Sequence, residues 1–171
     1  MTHFSLFDLP QRFAVDLPAL EAAYRRVQAE VHPDRHAHKP DADRRLAMQY
    51  ATRVNEAYQV LKRPLLRARY LLSLAGVDTQ EETNTAMPVD FLMAQMEWRE
   101  AVADARIARD VDQLERLSAD VRRDTDALTV SLGQALDVDA DNETAALLVR
   151  KLRFLEKLDE EIGDAIEALL F

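Results

Sequence analysis

Four side chains able to ligate a metal or move a proton fall on every second position of the stretch VHPDRHAHK: His32, Asp34, His36 and His38. On a strand this alternation would bring all four to one face, as in a metal site or a metal-dependent hydrolase. The stretch has no β-branched or aromatic run after Val31, so strand propensity is low, and Pro33 and Pro40 would interrupt a ladder. Nucleophilic catalysis has less support still, because the chain has no cysteine and no serine elbow accompanies the His and Asp. A polar hinge with solvated histidines accounts for the pattern better than a metal site, and the metallohydrolase remains the remote alternative.

The elements around the stretch must decide. The chain has 171 residues, 48% of them apolar, with 3 Gly and 6 Pro. That suits one or two small, largely helical domains. Without cysteine there is no disulfide or thiolate zinc site, which fits a reducing, cytoplasmic setting. The opening MTHFSLFDLPQRF lacks a basic segment followed by a long apolar run, and no stretch is apolar enough to span a membrane. The net charge of −9 is uneven. Residues 1–75 carry 12 Lys+Arg against 8 Asp+Glu, a net of +4, and residues 76–171 carry 10 against 23, a net of −13. The asymmetry suggests two units with different partners, and the acidic half argues against nucleic acid as the ligand.

The apolar period is close to that of an α-helix between sparse breaks. Asp16 is a plausible N-cap for a helix over about 17–31, with Pro18 in its first turn and a stripe of Leu17, Leu20, Tyr24, Val27 and Val31. Arg25 and Arg26 project away from that stripe. Pro33 ends this helix and disfavours helical geometry at His32. A second helix over about 41–62 places Leu46, Tyr50, Val54, Ala57, Tyr58 and Leu61 on one face, so the two should form an antiparallel hairpin. Pro64 opens a third piece that Gly76 stops. After a polar linker at 77–86, helices over about 88–106, 110–136 and 143–170 carry stripes suited to a three-helix bundle.

With those elements placed, YRRVQAEVHPDR (Tyr24–Arg35) resembles the signature of J-domains, the DnaJ-type co-chaperone module in which a basic helix ends in His-Pro-Asp. HFSLFDLP before it and VNEAYQVLKRPLLRARYLL (Val54–Leu72) after it resemble the opening and closing segments of the same module. Val31 stands where many J-domains carry an aromatic, and Arg35 where lysine is usual; neither change touches the tripeptide. The resemblance implies that His32, Pro33, Asp34 and Arg35, with Arg25 and Arg26, dock on a DnaK-class ATPase chaperone and stimulate it. It also implies that Asp34 pairs with a partner arginine and that the basic face steers the complex. The chemistry would belong to the partner, so no enzyme activity, cofactor or metal is expected here. The competing assignment makes Asp34 a cap for the following helix and the arginines a solvated face. His36 and His38 gain no role from the resemblance.

The second half has neither a Gly/Phe-rich linker nor cysteine-rich repeats. FLMAQMEWRE (Phe91–Glu100) and VRKLRFLEKLDEE (Val149–Glu161), joined through RARYLLSLAG, instead resemble the HscB family of iron–sulfur co-chaperones. The fold class implied is all-α, a J-domain helical hairpin at 1–76 and a C-terminal three-helix client-binding domain at 87–171. At about 100° per residue, Phe91, Ala94, Trp98, Ala101, Val102 and Ala105 form one stripe. Leu92, Met93 and Met96 fall on the opposite side among Glu97, Glu100 and Asp104. Either both stripes are buried, the second under the J-domain, or the second is an exposed client site in which adaptable methionines make contact. The acidic residues sharing that face favour the second reading. The resemblance adds that this surface, with Phe154, holds an IscU-type scaffold, and that the chaperone partner is HscA-like. A J-protein with a different client is the nearer alternative.

Overall fold

The computed structural model describes residues 1–81 and 86–171, with Pro33 described by its backbone alone. Residues 82–85 of the expected 77–86 linker therefore lie outside the described residues. The chain divides into two compact units, Met1–Gly76 and Val77–Phe171. Regular structure among the described residues is entirely helical.

The first unit contains α1 (His3–Leu6), α2 (Leu17–Val31), a 3-10 turn (Pro33–His36), α3 (Asp41–Lys62) and α4 (Pro64–Leu74). Asp16 caps α2 by accepting the Ala19 N–H at 3.1 Å. His32 leaves the helical region at φ −57°, ψ 134°, as a residue before proline must. α2 and α3 bury Leu20, Ala23, Val54, Ala57 and Leu61 against Phe4 and Phe7. Tyr24 fixes their register: its ring stacks on Tyr58 at 4.0 Å and its hydroxyl donates to Asn55 at 2.7 Å. Two members of the expected stripes do not join this core. Leu17 and Leu46 are exposed, because each lies toward an end of its helix, where the partner helix no longer covers it; Ala23 is buried instead.

The end of α3 depends on a residue whose type gives no hint of burial. α3 stops at Lys62 with Arg63 extended, so no left-handed residue caps its last carbonyls. Arg67, only 6% exposed, reaches back from α4 and donates to the Leu61 carbonyl at 2.6 Å. Its guanidinium also lies over the Phe13 ring, 4.7 Å from the centroid. One cation thus satisfies a helix terminus and holds the Phe13 loop. Gly76, at φ +76°, ends the segment after α4.

The second unit contains α5 (Val89–Ile107), α6 (Val111–Gly133), a π-helical turn (Gln134–Val138) and α7 (Asn142–Leu170). Asp110 caps α6 at the Gln113 N–H and Asp141 caps α7 at the Thr144 N–H. Hydrogen bonds from the Thr144 hydroxyl and backbone hold the Asp141 carboxyl below its ordinary pKa. The core joins Leu114, Leu117, Val121, Leu155, Leu158 and Ile162, with Val102 and Ala105 from α5. The α-helix expected to run to about 136 stops at 133. The wider turn that follows keeps Leu132 and Ala135 in the core while the chain begins to reverse, and Asp139 N–H closes it on the Gln134 carbonyl at 2.9 Å.

Replacing Arg67 with alanine should lower the stability of the first unit by about 3 kcal/mol, since a buried carbonyl loses its donor and the Phe13 ring its cover. Lysine should not restore it, because an ammonium cannot reproduce the planar fork. Urea midpoints of the three proteins check this; an unchanged midpoint for Arg67→Ala would refute the capping role.

Candidate docking surfaces

The His-Pro-Asp stretch forms the 3-10 turn, and its histidines do not converge. His32 Nδ1 accepts the Asp34 N–H at 3.2 Å. His36 Nε2 donates to the Glu30 carbonyl at 3.3 Å, and His38 is exposed. Among the described residues no group of three His, Asp or Glu could hold a metal. The Asp34 carboxylate is 3.6 Å from His32 Nδ1. That nitrogen cannot both accept from an N–H and carry a proton toward the carboxylate, and the 3.2 Å hydrogen bond has the better geometry. His32 Nδ1 therefore acts here as an acceptor for the backbone. It serves as the local cap, and Asp34 does not cap α3, whose N-cap position is Pro40 without a side-chain bond. The Asp34 side chain is 93% exposed.

The arginines flank the turn differently. Arg25 pairs with Glu21 at 2.6 Å across an exposed i, i+4 step, a contact worth little in water. Arg26 and Arg35 are exposed and make no ion pair among the described residues. Tyr24, locked against Tyr58 and Asn55, fixes the rotation of α2 and so turns Arg25 and Arg26 outward.

On α5 the two apolar stripes separate. Val102 and Ala105 are buried and Trp98 and Ala101 pack on the core, whereas Leu92, Met93 and Met96 are 39%, 58% and 72% exposed. Glu97, Glu100 and Asp104 are exposed beside them. Phe154 of α7 is different in kind. It is half-buried and packs on the bundle core. Its ring meets Phe91 edge-on at 5.7 Å and lies beneath the Arg99 guanidinium at 5.3 Å.

Between α5 and α7 lies a groove of about 320 Å³ whose walls include Leu92, Phe154, Arg150, Arg153 and Lys157. Sequence reasoning did not single out the three cations. The signal was present: in RKLRFLEK the residues 150, 153, 154 and 157 recur at helical spacing and form one stripe.

Comparison with known proteins agrees with both units. The family model of the DnaJ domain matches residues 3–70, and that of the HscB C-terminal oligomerisation domain matches residues 87–163. This pairing defines a J-domain co-chaperone. Curated relatives include the co-chaperone protein HscB homologs of Chromobacterium violaceum, 64% identical, and of Azoarcus sp., 56% identical, each over 98% of this chain and 94% of the relative. The chain belongs to the HscB family. The solved structure of chaperone HscB from Vibrio cholerae superposes with a TM-score of 0.87 at 35% identity, covering 99% of both chains. The family implies a partner of the Hsp70 type. No helix among the described residues is long and apolar enough to cross a membrane.

Because Phe154 supports the core as well as the groove, Phe154→Ala should destabilise the second unit by about 2 kcal/mol, part of the cost of a fully buried phenylalanine. Met96→Ala should leave the same unit within about 0.5 kcal/mol. Denaturation midpoints of the two variants check the difference; equal losses would mean that the methionine stripe is core.

Proposed function

We propose that this chain stimulates ATP hydrolysis by an HscA/DnaK-class chaperone through its first unit. Its second unit delivers an IscU-type scaffold for iron–sulfur cluster assembly and transfer. The observation that carries the reading is the His32–Pro33–Asp34 turn: a nearly fully exposed carboxylate on a backbone that a proline and a histidine cap both constrain. Asp34 would bond a partner arginine, and Arg25, Arg26 and Arg35 would supply the positive field that orients the encounter.

On the second unit, Leu92, Met93 and Met96 supply apolar contact and Phe154 an aromatic floor. Glu97, Glu100 and Asp104 supply charge complementarity to a basic rim on the scaffold. Exposure of this stripe on a helix that already buries another one supports the docking role. Both units act by binding, and the bond-breaking step takes place in the partner ATPase.

Steady-state ATPase of a DnaK-class chaperone, measured with this protein alone, with scaffold alone and with both, tests the proposal; the two should act synergistically. Asp34→Asn should abolish the stimulation while folding and scaffold binding persist, since Asp34 makes no contact that holds the core. Full stimulation by that variant would sink the chaperone half of the reading. Met93→Ala with Met96→Ala should weaken scaffold binding by on the order of 1 kcal/mol or more per truncation. Calorimetric titration checks it, and an unchanged affinity would leave a J-protein with a different client.

A further inference from the structure

We infer that the docking face on α5 continues into a basic half on α7, which takes a carboxylate-bearing segment of the scaffold partner. The inference rests on the scaffold reading above and adds the chemistry and orientation of what docks. Leu92 and Phe154 line the α5–α7 groove, so the groove is continuous with the apolar centre of the proposed face. α7 adds Arg150, Arg153 and Lys157 along one stripe, and the acidic residue among the groove walls is Glu81.

Arg153 has an acidic partner, whereas Arg150 and Lys157 do not pair with a carboxylate among the described residues. Glu81 lies 3.9 Å from Arg153 and also accepts from the Thr79 hydroxyl. Arg150 donates to the Thr79 carbonyl at 3.2 Å, a neutral acceptor that leaves its charge uncompensated. Its buried Nε has no hydrogen-bond partner among the described residues. Lys157 is exposed and makes no ion pair among the described residues. Arg99, across the groove, is already engaged by Glu161 at 3.3 Å and by the Phe154 ring. The open positive charge therefore sits on Arg150 and Lys157 of α7.

The sign of the charge changes across the apolar centre. With Phe91 at zero, Arg99 and Leu92 border the groove at about 80° and 100°, Met96 follows at about 140°, and Glu100, Asp104 and Glu97 stand at about 180°, 220° and 240°. A face with one sign of charge lets a partner rotate about the contact normal. A face with two signs accepts one orientation and repels the reverse. The matching segment carries an aliphatic side chain to rest on Leu92 and Phe154, with carboxylates beside it for the guanidinium of Arg150 and the ammonium of Lys157. The acidic far edge disfavours a uniform polyanion such as nucleic acid.

The test uses the full chain and a purified IscU-type scaffold. Lys157→Glu, at an exposed position, should weaken scaffold binding on the order of three- to tenfold at an ionic strength of about 0.05 M, mainly through slower association. The difference should vanish near 0.5 M, where screening is strong. In the unmodified protein, adding scaffold should shift backbone amides of residues 150–157 as well as 92–104. If Lys157→Glu binds as tightly as the parent at low salt while the Met93/Met96 double variant does not, the basic half is overturned and the scaffold reading stands. Tighter binding by Lys157→Glu, or amide shifts confined to α5, likewise overturns it. If neither Lys157→Glu nor the methionine variant loses affinity, the scaffold reading falls and this inference with it.

Discussion

Pro33 has no N–H to donate, and a residue before proline is kept out of the helical region, as His32 is; the first unit is arranged about that break. α2 must end at Val31. A short 3-10 turn is what the chain can form before α3 begins at Asp41, and the two long helices then run back along each other. The same break leaves the Asp34 N–H without a helical acceptor, which His32 supplies through Nδ1. A backbone necessity thus uses up one ring nitrogen of His32 and aims the Asp34 carboxylate at water. The histidines do not converge for the same reason: two of them serve the backbone at opposite ends of the turn.

The second unit meets a different constraint. α6 and α7 pack along most of their length, while α5 contributes fully buried side chains only near its C-terminal end, at Val102 and Ala105. Its N-terminal half is held by larger, partly exposed rings: Phe91 against Phe154 and Lys151, and Trp98 on the core. Where a helix is held by rings at its edge instead of a full stripe, the space beside it remains as grooves, and the opposite face stays free to carry Met93 and Met96. The packing that stabilises α5 and the exposure of its other face are therefore set by the same residues around Phe154.

Much of this was legible in the sequence, for reasons that differ by residue. Helix positions followed from period and punctuation: Asp16, Pro18, Pro33, Pro64 and Gly76 each act through local geometry. The tripeptide could be picked out because it is contiguous, with Arg25 and Arg26 on the helix just before it. The two faces of α5 could be separated because a helical wheel converts spacing into direction. Leu17 and Leu46 were misplaced because periodicity gives a direction but not how far the neighbouring helix extends. Arg67 was missed because an arginine is ordinarily solvated, and only the fold reveals that the Leu61 carbonyl needs a donor. The π turn at 134–138 depends on where Leu132 and Ala135 must sit, which local propensity does not encode. The cations of α7 were visible as a stripe, but their meaning depends on Leu92 and Phe154 facing the same groove.

The exposure of Asp34 bears on how such a device can be specific. A hydrated carboxylate on a surface gains little from a single cation in water. Its bond becomes strong only when the partner excludes water from it, and the cost of desolvation then falls on any partner that does not present a well-placed cation. Charge alone would not discriminate, since the first half of the chain already has surplus positive charge and several exposed acids. In the proposed complex, discrimination would require that the carboxylate be held at a fixed distance from the basic face of α2. The constraints on it do not depend on charge: the proline backbone at position 33, the hydrogen bond that His32 Nδ1 accepts, and the Tyr24 stack on Tyr58. Packing and backbone bonds make the geometry, and in the proposed complex the charged residues use it.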